Sequence, residues 1–503
     1  MPSEPTAGRG SRRARVRLVA ALAAALVVLL PLAWLWAASL VPASYSVMTM
    51  GLVDVGGGAA LAHGHLPGAA GGRDVTTLVE PDQDSADVEV TLTARRQKVT
   101  VPGGPTLTAY TLNGTTPGPT IRAQEGDLVQ VTLVNESVPD GTSLHWHGID
   151  VPNAEDGVAG VTQDAVPIGG RHVYRFRAMQ VGTYWYHSHQ VSHEQVIKGL
   201  LGAVVVTPRG GIGGDVDVVG LAHLYAGRRA VQGRSGDVPV EVPAGKTARV
   251  RIINTDNGIM PVWVSGATFE VAAVDGTDVN RPTPVEGAKV ALAAGGRVDL
   301  RVRVPASGAA VRVEMGGAAL VLGPAGSAAP ATPAMRAPTG VVDLLTYGSP
   351  APLGLDVDHP DRRFTYSIGR RPGFVNGRPG VHWTVNGKMF PGAPMFMVAE
   401  GDVAVMHIDN HSGETHPMHL HGHHVVVLAR DGVKATGSPW WTDSLEVGNN
   451  QTFDVAFVAD NPGIWLDHCH NLPHAKEGLT AHLMYEGVTT RFRLGRDTPN
   501  TPE

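Results

Sequence analysis

A phrase that recurs three times along the 503-residue chain constrains its fold more than any other feature. In each copy a Gly is followed nine residues later by an Asn, with alternating apolar and polar residues between them. The copies are Gly126–Asn135, Gly245–Asn254 and Gly401–Asn410. A Gly turn leading into an alternating run is typical of β-sandwiches and Greek-key barrels. The repeat therefore predicts three related all-β domains.

A second recurring phrase, a Gly turn before another strand, helps to place the limits of these domains. It occurs in residues 181–187, 306–313 and 462–468. We predict domains at residues 82–208, 215–325 and 343–495, with an Ala/Pro/Gly-rich connector near 323–340.

The first 41 residues resemble a membrane signal, because four arginines precede 23 residues without charge, Leu18–Leu40. Such a run is long enough to span a bilayer, and flanking positive charge stays on the cytoplasmic side. We predict a basic cytoplasmic tail and a transmembrane anchor in residues 1–41, with the remaining chain extracytoplasmic. The alternative is a signal peptide that is cleaved after export. The arginines are Arg12, Arg13, Arg15 and Arg17.

Residues 42–81 are rich in Gly, Ala and Met and predict a mobile linker between membrane and body. Met48, Met50, His63 and His65 lie in this stretch and could also bind copper, but the linker interpretation is preferred.

Charge and cysteine content exclude two classes of protein. The formal net charge is −6 and only 17% of residues are charged, so the chain lacks the basic field that binds nucleic acid. Cys469 is the only cysteine, which rules out an internal disulfide. Its thiol must therefore be inert, reactive or bound to a metal.

Four short motifs concentrate histidine and contain that single thiol. Residues i and i+2 of a strand face the same way, so each His-x-His presents two imidazoles on one face. One such pair is weak evidence for a metal site, but four at matching places of a repeat predict one. The motifs are His145-Trp-His147, His187-Ser-His189, His416-Pro-Met-His419-Leu-His421 and His468-Cys469-His470-Asn-Leu-Pro-His474.

The number of ligands favours copper. Eight histidines can hold three ions, and the remaining two histidines and thiolate make a His2Cys set, which is typical of a blue-copper centre. Structural zinc usually takes several cysteines at close spacing, so zinc is the weaker alternative.

With these motifs the chain resembles the multicopper oxidases, the family of laccases, ferroxidases and bacterial copper oxidases. The resemblance covers roughly residues 85–490. It implies three cupredoxin-like Greek-key β-barrel domains of the three-domain bacterial type, and four coppers: one type 1, one type 2 and two type 3.

The resemblance also implies a role for each ligand. It assigns His416, Cys469 and His474 to the type 1 copper, which accepts the electron. His145 and His419 are assigned to type 2. The type 3 pair is assigned His147, His187, His189, His421, His468 and His470. In the middle domain Met260, Trp263, Ser265, Val313 and Met315 occupy the equivalent positions, so that domain is expected to bind no copper and to act as a spacer.

Further roles are implied around these ligands. Leu479 stands where the family places the axial group of the type 1 copper, and because leucine cannot ligate, a raised potential is expected. Asp156 matches an acid that relays protons, whereas Ala475 replaces another, for which Glu477 is a possible substitute. Asp443 matches an acid near a type 1 histidine, where it would orient that imidazole and pass the electron.

Three other residues lie close to the motifs without a metal-binding role. Asp467 is expected at the surface, with tuning of the type 1 copper as the alternative. His423 and His424 match no family position and are expected to be structural.

The predicted function is oxidation of phenols, aromatic amines or similar donors by one electron at a time, coupled to reduction of O2 to water. A metal oxidase for Cu(I) or Fe(II) is the alternative within the enzymes, although no methionine-rich insertion supports it. A copper-binding protein without catalytic activity is the alternative from another class.

Overall fold

The computed structural model describes residues 9–58, 71–81, 84–326 and 336–503. Helix α1, Arg9–Ala38, precedes a body built of β-strands. Within the described residues, Arg12–Ala38 is the one helix long and apolar enough to cross a membrane, and it packs against almost nothing. Two short helices, α2 (Ser192–Gln195) and α3 (Leu472–Lys476), lie in the body. Short 3-10 helices lie at Val47–Thr49, Val75–Thr77 and Asn153–Glu155.

Two short strands precede the body and eight strands form its first pair of sheets. The pair has the orders β4-β3-β6-β8 and β5-β10-β9-β7. The bounds are β1 Leu52–Asp54, β2 Arg73–Asp74, β3 Val88–Thr100, β4 Thr106–Leu112, β5 Ile121–Gln124, β6 Leu128–Asn135, β7 His145–His147, β8 Arg171–Arg177, β9 Gly182–His187 and β10 Leu201–Thr207.

The second pair of sheets has the orders β13-β12-β11-β15-β20-β17-β18 and β14-β22-β21-β16-β19-β23. Its strands are β11 Val216–Tyr225, β12 Arg228–Val231, β13 Arg234–Ser235, β14 Asp237–Glu241, β15 Thr247–Asn254, β16 Met260–Ser265, β17 Phe269–Val274, β18 Thr277–Asp278, β19 Ala288–Leu292, β20 Arg297–Arg303, β21 Val311–Met315, β22 Ala319–Gly323 and β23 Gly340–Val341.

The third pair has the orders β25-β24-β27-β33-β29-β30 and β1-β26-β35-β34-β28-β32; β31 pairs with β29, and β36 pairs with β2. The bounds are β24 Arg362–Val375, β25 Arg378–Val385, β26 Pro394–Val398, β27 Val403–Asn410, β28 His416–Leu420, β29 Val425–Arg430, β30 Val433–Lys434, β31 Trp440–Thr442, β32 Ser444–Val447, β33 Thr452–Val458, β34 Ile464–Cys469, β35 Thr480–Tyr485 and β36 Val488–Thr489. Each pair encloses its own apolar core.

The three copies of the repeat fold alike. Each begins at a Gly with a positive φ, between 73° and 93°, a backbone conformation that L side chains rarely adopt. The strands that follow, β6, β15 and β27, run parallel to β3, β11 and β24 respectively. Each ends at a buried Asn whose side-chain amide donates to a backbone carbonyl of the next loop and to a second carbonyl 31 to 38 residues further along the chain. The repeated Gly and Asn are thus the turn and the end anchor of one strand.

The predicted linker, residues 42–81, is more ordered than expected where the structure describes it. Val47, Met48 and Met50 are buried, and β1 adds to the edge of the third pair through β26. Burial of these apolar side chains holds the segment against the body, and the Gly/Ala-rich composition around them obscured it. His63 and His65 lie outside the described residues.

Candidate functional site

The four histidine motifs lie on neighbouring strand ends of the first and third pairs of sheets. In the first pair, His145 on β7 is opposite His187 on β9. In the third, His419 on β28 is opposite His468 on β34. The two strand pairs face each other, so that His145 Nε2 and His419 Nε2 are 3.4 Å apart. The cluster therefore forms between two separate sheets.

The structure brings every predicted ligand into a group of potential metal-binding side chains. Within each group the ligand atoms lie within 4.8 Å of one another. The groups are His145, His147 and His419; His147, His187 and His470; His189, His421 and His468; and His416, Cys469 and His474.

The histidine groups have the chemistry that a copper ion requires. Among the described residues, His189 and His470 have no hydrogen-bond partner on either ring nitrogen, although both are buried. Burial, and then neighbouring histidines, hold their pKa well below the usual value, so the rings are neutral and carry a free lone pair. His421 Nε2 and His468 Nε2 are 3.2 Å apart, close to the spacing of about 3.3 Å expected for two nitrogens bound to one ion at about 2.0 Å.

The group with the thiol is separate and smaller. Cys469 Sγ lies 3.5 Å from His416 Nδ1 and 3.8 Å from His474 Nδ1. Burial raises the pKa of Cys469 well above its usual value, so a bound cation is needed to hold it as a thiolate. Leu479, fully buried, packs beside it, and its carbonyl accepts from the Cys469 backbone N–H. The donor set is therefore His2Cys beside an apolar residue.

The Asp156 carboxylate bridges the first and third pairs of sheets. Asp156 Oδ1 accepts from His145 Nδ1 at 3.0 Å and from His421 Nδ1 at 3.1 Å. The two imidazoles stack with ring centroids 3.8 Å apart. Accepting from Nδ1 leaves Nε2 of both rings free to face a metal, so this carboxylate orients two predicted ligands at once.

Asp443 lies in a different place from the one predicted. Its carboxylate contacts His147 Nε2 at 3.2 Å, and its backbone carbonyl accepts from His419 Nδ1 at 2.8 Å. The reason is register: β32 places Val447 opposite His416 and Ser444 opposite His419, so Asp443 lies next to the large histidine cluster. It orients histidines of that cluster rather than a type 1 histidine.

The middle pair of sheets contributes a buried cation to this site, which the sequence did not reveal. Arg297 donates twice to Asp443, Nη1 to Oδ1 and Nη2 to Oδ2, both at 2.6 Å, and Arg297 and Asp443 are fully buried. Arg297 Nε also donates to the Thr183 carbonyl at 3.0 Å. One side chain therefore connects all three pairs of sheets, beyond the spacer role that was expected.

The turn before Arg297 also reaches the cluster. Gly295 has φ +78°, and a Cβ added there would lie 2.8 Å from His147 Cε1 and 3.1 Å from the His470 ring. Its carbonyl accepts from Trp185 Nε1 at 3.1 Å. No residue with a side chain fits between these histidines without moving them.

Replacing Gly295 by Ala should therefore destabilise the protein more than the same replacement does at another glycine with a positive φ. Gly245→Ala is the matched control, because its φ is +73° and a Cβ there meets nothing within 4 Å. Backbone strain should cost both variants about 1–2 kcal/mol. Overpacking should cost Gly295→Ala about 1–3 kcal/mol more. Equal unfolding midpoints in denaturant for the two variants would show that the turn does not restrain the histidines.

Two further acids differ from their predictions. Asp467 is buried, not exposed, and burial raises its pKa to about 8. Strand alternation explains the burial, since Asp467 shares a face with Cys469. Glu477 does not reach the large cluster: its Oε2 accepts from Trp383 Nε1, beside His474.

Another carboxylate, missed from the sequence, lies where Glu477 was expected. Glu503 Oε1 is 3.5 Å from His468 Nδ1 and 3.7 Å from His189 Nε2. Its Oε2 accepts from Ser192 Oγ at 2.6 Å, and burial raises its pKa to about 8. Residues 499–502 hold the segment in place through hydrogen bonds with the Gln190 side chain and with the backbone of residues 191 and 192. No motif surrounds Glu503, so only the fold reveals it.

His423 and His424 lie behind the cluster, as partners of other side chains. His423 hydrogen-bonds Tyr485 Oη at 2.6 Å. His424 lies 3.2 Å from Asp443 and 3.4 Å from Asp150. Burial alone would lower the pKa of His424, but the two carboxylates raise it to about 10, so His424 is a cation that balances Asp443.

Comparisons with known proteins agree with this geometry. Family models described as multicopper oxidase match residues 93–211 and 361–487. The multicopper oxidase MmcO of Mycobacterium tuberculosis is 28% identical over 484 residues, covering 83% of this chain and 92% of that protein. Laccase-1 of Melanocarpus albomyces is 28% identical, covering 77% of this chain and 76% of that protein.

Solved structures give the same result. A multicopper oxidase from Pseudomonas thermotolerans superposes with a TM-score of 0.65 at 27% identity, over 80% of this chain and all of that one. A mutant of the laccase from B. aclada superposes with a TM-score of 0.68 at 25% identity, over 80% of this chain and 89% of that one. The fold is thus all-β, as the repeat predicted, and cupredoxin-like, as the resemblance implied. The chain belongs to the multicopper oxidase family and is a copper-dependent oxidoreductase that uses O2 and a reducing donor.

Proposed function

We propose that this chain is a laccase-like oxidase with four coppers, which takes electrons from phenolic or similar aromatic donors and reduces O2 to water. The proposal divides the body into domains at residues 82–208, 215–325 and 343–495. His416, Cys469 and His474 would hold the type 1 copper. His145 and His419 would hold type 2, and His147, His187, His189, His421, His468 and His470 the type 3 pair.

The observation that carries the proposal is the alternation along β34. Cys469 faces the group with His416 and His474, whereas His468 and His470 face the large cluster. When bound, copper supplies one-electron redox chemistry at the first group and O2 binding and reduction at the second. The chain provides the route between them, because Cys469 is joined directly through the backbone to His468 on one side and to His470 on the other.

The surroundings of His474 favour an aromatic donor. The Trp383 ring lies 4.6 Å from the His474 ring and 4.8 Å from the His416 ring. Glu414 lies 3.5 Å from His474, but it also forms an ion pair with Arg370 at 2.7 Å. A neutralised carboxylate attracts a metal cation weakly, whereas the partly exposed His474 imidazole, backed by the buried Trp383 ring, offers an aromatic contact. Phenol-type donors therefore fit this edge better than Cu(I) or Fe(II).

Asp156 is proposed to relay the protons that the reaction consumes at the large cluster. Its carboxylate contacts His145 and His421 from two different domains. A buried acceptor at this place can fix both rings and exchange protons with water that enters the cluster.

The test is metal content and oxygen uptake of the copper-loaded full chain. We expect four coppers per chain and one O2 consumed per four electrons, with 2,6-dimethoxyphenol oxidised faster than Fe(II) or Cu(I). A load of zinc, or clearly fewer than four coppers, would reject the site assignment. Turnover of the metal ions alone would reject the laccase-like function.

Replacing Leu479 by Met should lower the reduction potential of the type 1 copper, because a thioether would then lie where an apolar side chain packs beside Cys469. Leu and Met have similar volumes, so the swap should cost less than about 1.5 kcal/mol of stability. Redox titration of the blue absorption band measures the change. An unchanged potential would show that position 479 does not face the copper.

The proposal includes retention of α1 as a membrane anchor, with the body outside the cytoplasm. Helix α1 is exposed along the membrane-crossing stretch, and the chain just after it packs against the body at Ser39 and at β1.

A further inference from the structure

The hairpin of β24 and β25 connects two features of the molecule that have been treated separately. At its base, Trp383 contacts both histidines of the Cys469 group. At its tip, Asn376 and Gly377 contact the end of α1. The strands pair without interruption from Ile368 opposite Val385 to Val375 opposite Arg378. A continuous two-stranded ladder therefore joins the donor edge of the enzyme to its membrane helix.

The contact at the tip is specific. The Asn376 backbone N–H donates to the Ser39 carbonyl, and the Gly377 backbone N–H donates to Ser39 Oγ, both at 3.0 Å. A Cβ at Gly377 would lie 3.0 Å from Trp36 Nε1 and 3.1 Å from Leu40 Cδ2, and its φ is +75°. The tip thus packs on the last turn of the helix at a position that only glycine can occupy without strain.

The residues at that end of the helix indicate its depth in a bilayer. Trp34 and Trp36 are 68% and 46% exposed, at the end of the apolar run furthest from the basic tail. Exposed tryptophans at the end of a membrane helix lie at the level of the headgroups. A hairpin tip in contact with Trp36 therefore lies at that level too.

The charge of the surface around the tip suits anionic headgroups. Arg378 follows the tip directly, and Arg371 lies further along β24 opposite His382; both are exposed. Arg493, also exposed, donates to Ser44 Oγ at 2.6 Å, just beyond the helix. Asp497, an acid of the same segment, lies 3.9 Å from Arg496. Exposed cationic side chains therefore lie along the hairpin and just beyond the helix.

We propose that the β24–β25 hairpin lies on the surface of a bilayer that contains anionic lipids and presents the His474 edge to donors dissolved in that interface. The part of this inference that concerns donors at the His474 edge rests on the proposed function. The seven residues from Asn376 to Trp383 span at most about 23 Å at about 3.3 Å per residue. Trp383 and the donor edge beside it are therefore no more than about 23 Å from the tip, which lies at the level of the headgroups.

The donor class that follows is an amphiphilic hydroquinone or phenol that partitions into the bilayer. Two hydroquinones lose four electrons and four protons and become two quinones. One O2 takes up those electrons and protons and becomes two waters. With the hairpin lying along the bilayer surface, partitioned donors are concentrated where His474 is exposed.

The first test measures depth without any enzyme activity. The full chain is placed in nanodiscs of phosphatidylcholine and phosphatidylglycerol, with Asn376→Cys carrying a bimane label; Cys469 is buried and does not react. Nitroxide-headgroup lipids should quench this label at least about threefold more than the same label at Arg303→Cys, an exposed site on the middle domain. Equal quenching at both sites overturns the inference.

The second test compares donors in the same nanodiscs. Charge reversal by Arg378→Glu with Arg493→Glu should lower turnover of decylhydroquinone several-fold and leave the uncharged, water-soluble hydroquinone unchanged. Lys246→Glu with Arg303→Glu is the matched control and should change neither. Equal effects on the two donors overturn the donor class. Absence of oxygen uptake with every donor rejects the oxidase function instead, while the quenching result still decides where the hairpin lies.

Discussion

Replacing Cys469 by Ser is expected to remove the intense blue absorption of the copper-loaded protein and to lower kcat by more than about 100-fold. The thiolate is the one sulfur ligand of its group, which it forms with His416 and His474. A serine hydroxyl cannot form the covalent bond that the thiolate forms with copper. The electron route from donor to O2 is therefore interrupted.

The large cluster should survive this substitution. Its proposed ligands lie on the other face of β34 and on or just after β7, β9 and β28, so the type 2 spin-resonance signal and the coppers proposed for this cluster should remain. Leu479→Met, which keeps the thiolate, should keep the blue band. A Cys469→Ser protein that retains the band would overturn the assignment of the His2Cys group.

Replacing Arg297 by Met should destabilise the protein by about 3–5 kcal/mol, the usual cost of leaving a buried charge without its partner. Asp443 would lose both hydrogen bonds from the guanidinium and keep only His424 as a cation close by. Because Asp443 contacts His147 and His419, copper retention should fall together with the unfolding midpoint in denaturant.

A control on the same strand separates this effect from loss of any arginine. Arg301 on β20 pairs with Glu270 at 3.2 Å, and both side chains are about one-third exposed. Arg301→Met should therefore cost less than about 1 kcal/mol. Adding Asp443→Asn to Arg297→Met should recover part of the lost stability, because the pair is coupled. Independent, additive effects would contradict the proposed contact.

The sequence predicted those parts of the site that are local in the chain. Alternation along β34 and the His-x-His spacings follow from strand geometry alone, and the repeat located β6, β15 and β27. The burial of Asp467 was equally predictable, since it lies two residues from Cys469 on one strand. Its charge was given more weight than its place in the alternation, and that was the error.

The rest depends on contacts between distant segments. Arg297 and Asp443 are 146 positions apart, and neither belongs to a motif. Glu503 reaches His468 only because residues 499–502 hold it against residues 190–192. Register decides the place of Asp443: a match to the family gave its identity, but the pairing of β28 with β32 determines which histidine it contacts.

The distance along the chain between His145 and His419, 274 positions, determines when the protein can become reactive. A ribosome must release nearly the whole polypeptide before both halves of the oxygen-reducing centre exist. A nascent or truncated product carries isolated imidazole pairs but cannot assemble that centre. Partly made chains are thereby prevented from passing electrons to oxygen until the last domain has closed against the first.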